Sequence, residues 1–194
     1  TEDITKMAAM SPSEKSYFET SVLAHAKHRI AWLLILMFSA TITGTIITRY
    51  ENAFAAIPLL VSFIPMLMDT GGNCGSQSST LIIRGIALGE IQFSDLFRVM
   101  FKEFRVSLIV GVALALANGI RILIMYKNAG LALVIGLSLV ATIVISKLIG
   151  CVLPLIAKKL HMDPAIMASP LITTLVDTCS ILIYFNIATQ VFQL

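Results

Sequence analysis

Long apolar runs bounded by charge govern what this chain can fold into. Between Glu51 and Arg84 the only charged residue is Asp69, and beyond Asp163 the only one is Asp177. A bilayer-crossing helix needs roughly 20 apolar residues at about 1.5 Å of rise each. Five segments meet that length: residues 30–48, 53–83, 106–126, 129–157 and 164–192. With 57% hydrophobic and only 13% charged residues, and a mean hydropathy of +0.90, the chain is too apolar for an ordinary soluble domain. The expected fold class is an all-α integral membrane protein with five transmembrane helices.

The connections carry the charge. A long one, residues 84–105, predicts a short amphipathic surface helix over residues 93–104. With a cytoplasmic N-terminus, the inner side collects Lys6, Lys15, Lys27, Arg29, Arg84, Arg98, Lys102, Arg105, Lys158 and Lys159, against Arg49, Arg121 and Lys127 outside. The positive-inside rule therefore puts the N-terminus in the cytoplasm and the C-terminus outside. An odd number of spans leaves no even internal inverted repeat, so a central pathway is most simply formed between two subunits of a homodimer. Residues 1–29 read as a cytoplasmic connecting helix or linker, the tail of a larger region, and residues 30–194 as the membrane domain. The first apolar run follows a polar stretch, which is not the pattern of a cleaved signal peptide. Basic residues sit at the ends of apolar runs and form no patch for nucleic acid. Cys74, Cys151 and Cys179 are odd in number and widely spaced, fitting neither a disulfide framework nor a zinc site.

An aspartate at the centre of a membrane helix costs about 2.5 to 3.5 kcal/mol to insert, so Asp69 and Asp177 must each face a partner, water or an ion. Their neighbours follow helical spacing. Ser169, Thr173, Asp177, Ser180 and Tyr184 are separated by 4, 4, 3 and 4 residues, one continuous face. Asp69, Gly72 with Asn73, Ser76 and Thr80 form a second such face. Gly71, Gly72 and Gly75 admit close backbone approach and can expose carbonyl oxygens, or act as helix-packing residues, while Pro58 and Pro65 weaken the helix upstream. Asp69 has two readings, an ion ligand or an acceptor that fixes an irregular second span. Lys147 is expected to snorkel to the cytoplasmic interface, and His25 and His28 to lie in the interface.

Carboxylate, hydroxyl, amide and carbonyl oxygens without histidine or paired cysteine favour a hard cation. So few carboxylates argue against a tight calcium cage. Magnesium usually keeps several waters, and the hydrated ion is roughly 7 Å across, a size that hydroxyls and carbonyls can hold through its water shell. Sodium, protons and manganese remain compatible with the same chemistry.

The segment PMLMDTGGNCGSQSSTLIIRGIALGEI, residues 65–91, closely resembles the signature of the MgtE family of magnesium channels, and DPAIMASPLITTLVDTCSILIYF, residues 163–185, resembles that family's last span. The likeness covers essentially the whole chain. It implies a homodimer in the bacterial cell membrane that conducts Mg2+ inward, with the second and fifth spans lining the pore. It also implies that Mg2+ is bound largely hydrated at Asp177, with Thr173 and Ser169 on the last span and Gly72, Asn73, Ser76 and Thr80 on the second. Cys74 stands where the family commonly has alanine. The resemblance further implies cytoplasmic N and CBS regulatory domains before TEDITKMAAM, absent from this chain, and with them the loss of most magnesium feedback.

Two other classes compete. The pairs Asp69-Thr70 and Asp177-Thr178 invite comparison with aspartic proteases, whose two carboxylates share a proton, but such soluble enzymes need a β-rich fold and only an intramembrane version would fit. A secondary transporter of divalent cations with a midplane site is the nearer alternative, with Lys147 as its counter-ion or proton relay. The expectation is a transport protein and not an enzyme.

Overall fold

The computed structural model describes residues 18–167 and 169–193. Among them every regular element is helical. Most of the expected cytoplasmic linker, residues 1–17, lies outside the described residues, as do the side chains of residues 52–54 and 166–169.

Helix α1 spans Val22–Arg49, and Ser21 caps it by accepting a hydrogen bond from the Ala24 amide at 3.3 Å. Nearly all of its apolar surface is exposed, as suits a helix solvated by lipid. It docks chiefly on the last helix, with a Thr43–Thr178 hydroxyl contact of 2.9 Å.

The second expected span is not one helix. A short helix α2, Glu51–Ala56, ends before Ile57, whose φ of −136° and ψ of 81° follow from the crowding that a following proline imposes. Pro58–Phe63 then forms a 3-10 segment, and α3 runs Ile64–Ala87 with Pro65 in its first turn, where the missing amide costs nothing. The helix is unbroken through Gly71, Gly72 and Gly75, so the irregular backbone lies upstream of the polar run and not within it. Leu67, Gly71, Cys74, Ser78, Ile82 and Gly85 are buried at spacings of three and four residues, a continuous packed face.

The expected surface helix does not exist as a separate element either. After a 3-10 turn at Phe93–Asp95, helix α4 runs from Leu96 to Tyr126, 31 residues without a proline. Gln92 and Asp95 close a capping box at its entry, the Gln92 amide donating to Asp95 Oδ2 at 3.0 Å. Lys127 adopts a left-handed φ of 50°, and the Asn128 side chain caps α5 by accepting from the Leu131 amide at 2.9 Å. This tight link makes α4 and α5 (Ala129–Lys159) an antiparallel hairpin. The last helix, α6, spans Ser169–Phe192 after a 3-10 turn at Pro164–Met167.

Helix α5 is central, packed by α3, α4 and α6. Its contact with α3 is exceptionally close. A Cβ on Gly150 would collide with the Gly75 carbonyl oxygen, and one on Gly75 would lie 2.7 Å from Ile172 and 2.9 Å from Ser146. Only glycine permits backbones to meet in this way. Pro154, inside α5, removes the hydrogen bond that would reach back to the Gly150 carbonyl, one turn earlier. A second cluster, around Ile82, Cys151 and Leu155, fills the other end of the α3–α5 contact.

Four helices, α1, the segment from Phe93 to Tyr126, α5 and α6, are long and apolar enough to cross a membrane. The fifth expected span, α3, has the length, about 36 Å at 1.5 Å per residue, but its polar run keeps it below that apolarity.

Candidate functional site

Helices α3 and α6 lie side by side. What brings them together is Gly72, where a Cβ would sit 2.9 Å from the Thr173 methyl group. Just beside this contact opens a cleft of about 190 Å³ lined by Met68, Asp69, Gly72, Asn73, Thr173 and Asp177. Five of the eight residues singled out from sequence thus meet at one place. Ser76 and Thr80 line an adjoining volume of about 700 Å³ with Asn73, Gln77 and Leu81, so Asn73 belongs to both. Ser169 begins α6, and its side chain lies outside the described residues.

The two carboxylates differ in setting. Asp69 is exposed on the open face of α3, whereas Asp177 is half-buried. Among the described residues no lysine or arginine pairs with either. Asp69 sits on regular helix, and among the described residues no neighbour donates a hydrogen bond to its carboxylate. Two like charges opening into one small volume repel one another, and a cation between them relieves that repulsion. The Thr173 hydroxyl donates to the Pro170 carbonyl at 2.9 Å, which leaves its oxygen lone pairs free to accept from a water. The Gly72 position adds backbone without a side chain to obstruct the opening.

The stripe expected on the last span is only partly open. Ser180 is buried, donates to the Val176 carbonyl at 2.7 Å and lies against Gly71. Tyr184 is also buried, its hydroxyl donating to the Leu60 carbonyl at 2.8 Å. The 3-10 segment Pro58–Phe63, invisible as a separate element in the sequence pattern, covers the Tyr184 end of the face.

Lys147 does not carry its ammonium into water as a snorkelling side chain would: it is 5% exposed. Its ammonium donates to Ser78 Oγ at 3.2 Å and lies 3.8 Å from Glu103 Oε2, while Ser78 Oγ donates to that same carboxylate oxygen at 2.6 Å. Glu103, expected on a surface helix, is 9% exposed. The flanking Lys102 and Arg105 disguised it as one more interfacial charge. Glu103 and Ser78, like Met68 and Gln77, went unnoticed from sequence. The available signal was that Ser78 falls on the Gly71–Cys74 face of α3, opposite the acidic stripe.

A family model described as MgtE, divalent cation transporter, matches residues 64–187, which contain α3 to α5 and most of α6. The chain is 39% identical over 188 residues to a magnesium transporter MgtE of Bacillus subtilis, with 97% of this chain and 41% of that protein covered. It is 35% identical over 189 residues to one of Thermus thermophilus, covering 97% of this chain and 42% of the relative. A third, from Enterococcus faecalis, is 34% identical over 168 residues, with 87% and 37% covered. The chain therefore spans about two fifths of the length of the curated relatives it matches. From the polar run on α3 to the carboxylate on α6, the matched segment contains the whole cleft, and the chain belongs to the MgtE family of divalent cation transporters.

Proposed function

We propose that this chain forms the membrane pore of a magnesium channel, with hydrated Mg2+ held at Asp177 between α3 and α6 and moving into the cytoplasm down its electrochemical gradient. The observation that carries the reading is the cleft itself, where two carboxylates without basic partners among the described residues share a volume with the Asn73 amide and the Thr173 hydroxyl. The relatives are named magnesium transporters, and the oxygen-only donor set is the kind that hard cations prefer.

A cleft of this form suits an ion that keeps its water. Magnesium sheds water reluctantly, so Asp177, Thr173, Asn73, Ser169 and the Gly72 backbone contact it chiefly through its hydration shell. Ser76 and Thr80 continue the path along α3 toward the cytoplasmic end, where Arg84 marks the inner side. Asp69 supplies a second negative charge at the opening. With a membrane potential negative inside, a divalent ion gains about 4.6 kcal/mol per 100 mV in crossing, which gives the inward direction without a coupled ion.

Asp69, Asn73, Gln77 and Thr80 are all exposed on one face of α3, a polar face that hydrocarbon would not tolerate. A second copy related by a two-fold axis covers it and places two pairs of carboxylates around one path. Helix α3 then crosses the bilayer sheltered from lipid, as its low apolarity requires. The charge pattern orients the termini as above, cytoplasmic and outside.

The test is magnesium influx into proteoliposomes loaded with a magnesium dye, comparing the parent protein with Asp177→Asn. Rapid influx that follows an imposed voltage and collapses in the variant is the expected result. Equal influx in both would move the ion site away from Asp177, and saturable influx indifferent to voltage would favour a carrier.

A further inference from the structure

We propose that Glu103, through Lys147 and Ser78, is a positioning residue that sets the rotation of α3 and so aims its ion-lining face. This rests on the transport reading above only for its consequence; the positioning itself can be measured without transport.

Where Gly75 of α3 meets Gly150 of α5, backbone lies against backbone, and the missing side chain of Gly71 leaves room for Thr142 and Val176. Helices usually lock by ridges of side chains fitted into grooves; at the Gly75–Gly150 crossing glycine removes the ridge from both helices. The apolar packing further along, around Ile82, Cys151 and Leu155, is non-directional, so directional bonds sharpen the rotation that it leaves loose. The structure contains two sets on this face. The Ser146 hydroxyl donates to the Gly71 carbonyl, and Ser78 is gripped between Glu103 of α4 and Lys147 of α5.

The second set has the greater leverage. At about 100° per residue, Ser78 lies roughly 180° around α3 from Asp69 and about 160° from Ser76 and Thr80. A bond at the back of the helix thus governs the aim of the front. A roll of about 20° would carry a side-chain oxygen on the far side by roughly 2 Å, given a helix radius near 5 to 6 Å, a large fraction of the cleft's opening. The charges also make the grip unforgiving. Ser78 donates to the carboxylate and accepts from the ammonium, so a rolled α3 would leave a buried ion pair short of its third member. Stability alone does not call for such a triad, because well-packed apolar residues hold helices together equally well.

Two variants test the assignment: Glu103→Gln, which keeps the shape, and the apolar pair Glu103→Leu with Lys147→Met. Each is placed in a protein whose cysteines at 74, 151 and 179 are replaced by alanine, with one new cysteine at a time at Asn73, Gln77, Thr80 or Leu81. Labelling by a water-soluble thiol reagent reports which side of α3 meets the aqueous path. With the triad intact, Asn73→Cys and Thr80→Cys are expected to label fastest. In the folded variants the preference should shift around the helix by one position or more, with the half-saturating Mg2+ concentration for influx changed at least fivefold and the melting temperature of the apolar pair unchanged or higher. An unmoved labelling pattern with unchanged half-saturation would overturn the proposal, as would failure of both variants to fold, which would make the triad a stability element. Absence of influx in the parent protein would count against the channel reading instead, and labelling would still decide the positioning role.

Discussion

Helix α3 carries polar groups on two opposite faces, and the two are built in contrary ways. On the face toward α5, the buried Gly71 carbonyl accepts from Ser146, and the buried Ser78, Lys147 and Glu103 are bonded to one another. On the face toward α6, Asp69 and Asp177 open into a cleft with no basic partner among the described residues. In a hydrocarbon solvent, polar groups that are satisfied internally serve structure, and polar groups left open imply that something from outside satisfies them. Polarity alone does not mark a functional residue; the state of its hydrogen bonds does.

The largest effect is expected where the closed face is tightest. Gly150→Leu would drive a side chain into the Gly75 backbone, which has no flexible atom to yield, and overpacking at such a point exceeds the usual cost of about 1 to 3 kcal/mol. The variant should fail to give a monodisperse peak in detergent, and one that elutes and melts like the parent would show that α3 and α5 do not meet there. Next comes Lys147→Met alone, which strands the Glu103 carboxylate and should cost about 3 to 5 kcal/mol, read as a large fall in melting temperature. Restoration by adding Glu103→Leu would confirm that the loss comes from the uncompensated charge, and a harmless single variant would undo the contrast between the faces.

On the open face, substitutions should spare stability and reduce transport. Asp177→Asn should lower influx at least about tenfold, equivalent to about 1.4 kcal/mol, and Asp69→Asn should lower it less, because Asp69 is the more exposed of the two. A melting temperature that drops in either variant would place that aspartate with the structural groups. The smallest effect belongs to Thr43→Val, which removes the hydroxyl contact between α1 and α6 and should cost about 0.5 to 1.5 kcal/mol by thermal melting.

Much of the cleft was legible in the sequence because helical spacing is a local property. Asp69, Gly72, Asn73, Thr173 and Asp177 could be placed on two faces from their separations, and the resemblance to a family joined those faces. Coverage of a face is not local. Nothing in the spacing of Ser180 and Tyr184 told that Gly71 of α3 packs over the first and the segment Pro58–Phe63 over the second. The proline at 58 marked a weak point, yet the pattern could not separate a strained helix from a broken one. At the other end, the charges around Phe101 hid a helix that simply continues: amphipathic character ends at residue 105, but no residue there breaks the backbone. Lys147 was misplaced for a similar reason, since its partner Glu103 lies 44 positions away in a stretch that reads as surface.

The short link at Lys127 and Asn128 also bears on how the chain enters the bilayer. Glu103 and Lys147 lie on the two arms of the same helical hairpin. Either charge buried alone would be uncompensated and costly, so a hairpin closed at the membrane surface would bury the two already paired, with the Ser78 contact added when α3 packs. The same two side chains would then serve insertion as well as the rotation of α3.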